Sequence, residues 1–107
     1  MSEAAFQKVV MEICAWNGWL VTHFRPSQSN GRWMTAVSGN IGWPDLAMVH
    51  EQDGRFAIRE LKRDGGKLTE MQDRWLQAMQ KAGVDAKVWR PADLRSGEIE
   101  RFLARKV

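Results

Sequence analysis

Apolar residues recur at Phe6, Val9, Val10, Ile13 and Trp16, a spacing of three to four that predicts an amphipathic helix from about Glu3 to Asn17. Ser2 is placed to cap it and Gly18 to stop it. The pattern then changes. Trp19 to Phe24 is dense in aromatic and β-branched residues and reads as a strand. Asp45 to His50 and Phe56 to Lys62 read as two more, joined through Gln52-Asp53-Gly54, where Asp-Gly signals an antiparallel hairpin. Helical spacing returns from about Thr69 to Gly83, with Trp75, Leu76 and Met79 facing inward. Ala86 to Trp89 gives a fourth strand, and a last helix runs from about Ser96 to Ala104 on Ile99, Phe102 and Leu103. The order αβββαβα predicts an α/β fold with a mixed sheet flanked by helices. The crossover from the third strand through a helix to the fourth makes that pair parallel and right-handed.

One stretch escapes this rhythm. Residues 25–44 are rich in Gly, Ser and Asn, with Gly31, Gly39, Gly42 and Pro44. A short hairpin around Trp33 to Val37 is expected within it, and connections of this length in small domains are often functional.

Composition narrows the class. A chain of 107 residues, 44% apolar and 27% charged, fits one soluble globular domain over 1–107. Cys14 stands alone, which excludes an internal disulfide and a Cys-rich zinc site. No apolar run approaches the ~20 residues of a membrane span. Met1-Ser2-Glu3 lacks the basic start of a signal peptide, so a cytoplasmic location is expected. Six Trp and no Tyr are present. Trp16, Trp19, Trp75 and Trp89 are expected in the core, while Trp33 and Trp43 are placed to meet a ligand or partner. The net charge is +3, and its distribution is uneven: residues 1–58 hold 4 Lys and Arg against 5 Asp and Glu, residues 59–107 hold 12 against 8. A basic second half would attract phosphates, although a mixed-charge solvated surface gives the same count.

The chemistry concentrates in the third strand. Side chains alternate, so Phe56, Ile58, Glu60 and Lys62 share a face. Phe56 and Ile58 are expected under a helix, and Glu60 and Lys62 continue that buried row to the strand end. Buried charge is costly unless it is paired or serves a metal. The hairpin brings Asp45 beside positions 60 to 62, so two carboxylates and a lysine converge. Two carboxylates can hold Mg²⁺ together with waters and a substrate phosphate. A bare Glu-x-Lys is common and reads equally as a surface ion pair; Pro44-Asp45 on the partner strand favours function. Glu3 lies nearer the apolar face of its helix than Glu12 and is the better third carboxylate, although it also suits the helix dipole. Thr69 to Gln72 fits a capping box, which competes with an active-site role for Gln72. His23 and His50 read as structural or exposed. Arg25, Arg32, Arg63 and Lys67 are candidate DNA contacts, with Arg63 and Lys67 favoured because they closely follow Lys62.

Taken together, Gly42-Trp43-Pro44-Asp45-Leu46, Arg59-Glu60-Leu61-Lys62, Gly66-Lys67-Leu68-Thr69 and Gln72 resemble, in order and spacing, the VRR-NUC branch of the PD-(D/E)xK nuclease superfamily. The resemblance covers nearly the whole chain. It implies a restriction-endonuclease-like fold and phosphodiester cleavage dependent on Mg²⁺ or Mn²⁺. Asp45, Glu60 and the backbone carbonyl of Leu61 would ligate the metal, and Lys62 would assist the water. The family's helix-1 glutamate matches Glu3, with Gln7 one turn on, and its later glutamine matches Gln72. Minimal single-domain members resemble phage and bacterial nucleases similar in activity to Holliday-junction resolvases, which act as homodimers on branched DNA. Flaps, single strands or plain duplex as substrate, and a DNA-binding module without catalysis, are the alternatives.

Overall fold

Capping and stripe spacing fix the two long helices. The computed structural model describes residues 1–24, 27–29, 32–34 and 38–106. Ser2 caps α1 (Glu3–Trp16) by accepting the Ala5 N–H at 3.1 Å. The buried stripe of α1 is Phe6, Val10 and Cys14, four residues apart. At about 100° per residue, Trp16 then falls on nearly the opposite side from Cys14. It is 80% exposed, which corrects its expected place in the core. The second long helix, α2 (Glu70–Lys81), opens on the expected capping box. Thr69 Oγ1 accepts the Gln72 N–H at 3.1 Å, and Gln72 Oε1 accepts the Thr69 N–H at 2.9 Å.

Between these helices lie β1 (Leu20–His23), β2 (Ser27–Ser29), β3 (Arg32–Met34), β4 (Leu46–His50) and β5 (Arg55–Leu61). After α2 come β6 (Asp85–Trp89), α3 (Pro91–Arg95) and α4 (Glu98–Leu103). The main sheet runs β1-β4-β5-β6, antiparallel except for the β5–β6 pair, which is parallel as the crossover requires. The hairpin expected in the long connection exists but sits earlier, with Ser27–Ser29 against Arg32–Met34; residues 35–37 lie outside the described residues. The expected last helix is α4, two residues later in its start because Gly97, with a left-handed φ of +82°, caps it; the stretch from Pro91 before it, expected as a short turn, is the helix α3.

Each face of the sheet has its own core. Phe6, Val10 and Cys14 of α1 pack with Leu46, Met48, Ala57, Leu61 and Trp89 from the strands and with Ile99 and Leu103 of α4. On the other face, Ile58 and Ala86 are covered by Leu76 of α2. Phe56 shares that second face but is 50% exposed, because the cover stops short of it; the expected burial of Phe56 is corrected. No helix among the described residues is long and apolar enough to cross a membrane.

The larger core holds one buried charge. Arg59 is 1% exposed. It pairs with Asp85 at 3.0 Å, donates to the carbonyls of Ile58 and Asp85, and stacks over the rings of Trp89 and Phe102 at 4.7 and 4.5 Å. Burial pulls its pKa down and Asp85 pulls it back. An ion pair of this kind is fragile to loss of one partner but not to replacement by apolar volume. Asp85→Ala, which strands the guanidinium, is expected to cost about 1.5–3 kcal/mol in urea denaturation. Arg59→Met should cost less than Asp85→Ala, and the reverse ranking would show that packing against Arg59 outweighs its charge.

Candidate active site

Asp45 is delivered by a loop that only glycine permits. Gly42 has φ +96°, and a Cβ there would sit 2.9 Å from the Met71 backbone at the start of α2. The same loop is fastened by Trp75, whose Nε1 donates to the Ile41 carbonyl at 2.8 Å. Pro44 is buried, and the Phe24 N–H donates to the Asp45 carbonyl at 2.8 Å, extending the β1–β4 ladder. The Asp45 carboxylate then turns toward β5, where Oδ2 accepts the Leu61 N–H at 2.7 Å.

Glu60 lies beside it, 2% exposed, on the face covered by α2. Its Oε2 is buried with no hydrogen-bond partner among the described residues. Burial pushes its pKa up to about 9, with the Asp45 hydrogen bond and charge adding to the rise, Lys62 opposing it and Glu3 contributing least. The Glu60 carboxyl therefore holds its proton near neutral pH until a cation replaces it. Among the described residues, no three His, Cys, Asp or Glu side chains converge as a metal cage, so the clustered carboxylate donors are two. A strand residue's N–H and C=O face the same neighbour, which puts the Leu61 carbonyl on the Asp45 side. A buried, unpartnered carboxylate oxygen beside a second carboxylate is a donor set suited to a hard divalent cation.

Lys62 follows β5, half-buried, and its N–H donates to the Trp89 carbonyl at 3.1 Å. Its ammonium makes no ion pair within 4 Å among the described residues, so the alternative of a Glu60–Lys62 surface pair does not describe this site. Glu3 is exposed on the first turn of α1, near enough to influence Glu60. Gln7, one turn on, donates to His23 Nδ1 at 2.9 Å. Gln72 closes the capping box with its oxygen, and its position adjoins Gly42. His50 is structural, bonded to the Asn17 carbonyl at 2.8 Å. Arg63 and Lys67 are exposed on the connection to α2. Arg25 and the Arg32 side chain lie outside the described residues.

Two contributions were not anticipated from the sequence. Gly42 was read as part of the motif ahead of Pro44-Asp45, but without the close approach to α2 just described. Arg90 had no signal: its Nη1 donates to the carbonyls of Arg63 and Gly66 at 2.9 and 2.7 Å. With Asp64, which accepts from the Ala92 N–H and from Arg95, it pins the segment carrying Arg63 and Lys67 onto α3. The Arg95 guanidinium holds the Asp64 carboxyl below its ordinary range.

The carboxylate pair has a consequence for stability. A folded-state pKa raised above the unfolded value gives stability that is full at acid pH and lost as pH rises toward about 9. In EDTA, the melting temperature is expected to fall between pH 5 and 9, and Glu60→Gln should flatten that fall. Identical profiles for the two proteins would remove the buried pair as its cause.

A family model described as the VRR-NUC domain matches residues 6–93, spanning both carboxylates, Lys62 and Gln72 but not Glu3. No curated protein and no solved structure matches the chain. With the α/β sheet and the match over most of its length, the chain belongs to the VRR-NUC family of the PD-(D/E)xK nuclease superfamily.

Proposed function

We propose that this nuclease-family chain is a metal-dependent endonuclease that hydrolyses phosphodiesters in branched DNA such as Holliday junctions, acting as a homodimer. The observation that carries the catalytic part is the Glu60 carboxyl, buried with no partner for Oε2 among the described residues and set against Asp45. Asp45, Glu60 and the Leu61 carbonyl are the groups that would hold Mg²⁺, with Mn²⁺ as substitute. When bound, the cation supplies positive charge and Lewis acidity at the scissile phosphate.

The chain's own residues do the rest. Asp45 and Glu60 would orient the phosphate through the cation they would hold. Lys62, half-buried and without an ion-pair partner among the described residues, donates to the attacking water or to a phosphate oxygen as charge builds there. The water oxygen bonds to phosphorus, one P–O ester bond breaks, and the water's proton ends on the departing oxygen. Glu3 and Gln72 would serve the site from outside its donor pair, as a nearby carboxylate and an amide. Arg63 and Lys67, with Arg25 and Arg32 from the long connection, offer phosphate contacts that orient the strand. A junction needs two symmetric cuts, which a two-fold dimer supplies with two sites.

A labelled four-way junction and a matched linear duplex, each with Mg²⁺ and with EDTA, test this reading. Cutting is expected for the junction with Mg²⁺ alone, and Lys62→Ala should lower its rate by roughly 10²–10³. Equal cutting of both DNAs would discard the branch preference and keep the nuclease. No cutting with Mg²⁺, or with Mn²⁺ in its place, would overturn the catalytic assignments.

A further inference from the structure

The loop that delivers Asp45 also walls a cavity that phosphodiester hydrolysis does not use. Asn40 from the loop, with Met71, Arg74, Trp75 and Ala78 from α2, encloses about 170 Å³ open to solvent. Ligand pockets for whole small molecules are larger, so this one suits a single planar ring system. It adjoins an aromatic cluster. Trp43 meets Trp75 edge-on at 5.2 Å and Phe24 at 5.9 Å. Trp43 is 38% and Phe24 39% exposed, an unusual concentration of ring surface at the edge of a catalytic loop.

The lining chemistry is specific. The indole N–H of Trp75 is already bonded to Ile41, so this residue offers an incoming group its ring and not a donor. Asn40 offers one amide donor pair and one acceptor. Arg74 offers a guanidinium that can pair with phosphate or stack. A π surface, a hydrogen-bonding amide and a cation together match a heteroaromatic ring with polar edges attached to a phosphodiester. An apolar peptide segment would leave the amide and the guanidinium unmatched.

We propose that this cavity is a nucleobase pocket: an unpaired base of the substrate strand stacks on Trp75, bonds its edge to Asn40 and leaves its phosphate to Arg74. The proposal rests on the nuclease reading above and adds the feature of DNA that is recognised. Asn40 precedes Asp45 by five residues, so the two lie no more than about 18 Å apart. The bound base therefore belongs to a nucleotide within a short stretch of the cut. A base stacked inside duplex cannot enter, whereas one at a branch, flap or single-stranded arm can. The pocket thus makes an unpaired base, and not groove sequence, the determinant of where the enzyme acts.

The test measures binding with cleavage silenced by EDTA. The probes are two labelled splayed-arm DNAs, identical except that one carries abasic residues in the unpaired arm next to the branch. Phosphate charge is the same in both. The intact protein is expected to bind the abasic DNA roughly 5- to 150-fold more weakly, the range for loss of one stacked base. Asn40→Ala should weaken binding of the base-bearing DNA and leave the abasic DNA unchanged. Ala78→Leu, a helix-compatible change at an exposed position, fills the cavity and should do the same without loss of the melting transition. Equal binding of both DNAs, absence of binding, or variants that weaken both DNAs alike would overturn the pocket. A parallel Mg²⁺ cleavage assay separates the two ideas. Cutting without base-dependent binding sinks the pocket alone, and base-dependent binding without cutting sinks the nuclease reading while the pocket stands.

Discussion

Strand β5 carries two opposite charges in succession, Arg59 and Glu60, and alternation sends them to opposite faces of a sheet that is covered on both sides there. Neither charge reaches water, so each face must answer for one. The α1 face does so with an opposite charge: Asp85, two carbonyls and two aromatic rings surround the guanidinium, and Nε alone of its nitrogens is buried with no hydrogen-bond partner among the described residues. The α2 face does not. Glu60 finds Asp45, which has the same sign, and one oxygen finds nothing among the described residues. A fold that pairs one of two adjacent buried groups with an opposite charge and sets the other beside a second carboxyl makes that second group hold a proton that a cation can replace.

The site is also stiff in a particular way. Both segments that flank the carboxylates are irregular, yet each is tied to a helix through its backbone. On one side Gly42 lies against α2 and Trp75 holds Ile41. On the other, Arg90 grips two carbonyls of the segment after Lys62, and Asp64 fastens it to α3. Irregular backbone can thus present functional groups with the precision of regular elements.

Much of this was legible in the sequence, and the reasons are local. Asp-Gly at 53–54 and strong alternation fixed the β4–β5 hairpin, and with it the meeting of Asp45 and Glu60. Ser2 and the Thr69–Gln72 box fixed the helix starts. The errors arose where tertiary cover decides. Trp16 and Phe56 have the periodicity of buried residues, but helix phase turns the first outward and the limited reach of α2 exposes the second. Helix α3 was read as a turn because five residues opening on Pro91 are too short to show an apolar period. Arg90 was invisible for a different reason: its partners are backbone carbonyls more than twenty residues away, and no side-chain pattern records them.

The hairpin has one more implication, in the order of assembly. Asp45 and Leu61 meet across only 16 residues, through an antiparallel pair with a tight turn. Such hairpins close in about 1–10 μs, while a parallel pair such as β5–β6 must wait for its crossover helix. Topology therefore lets the two carboxylates come together while both are still hydrated. The dehydration of Glu60 follows when α2 docks, so the electrostatic resistance to forming this site opposes the closing of a helix over the sheet and not the making of the sheet itself.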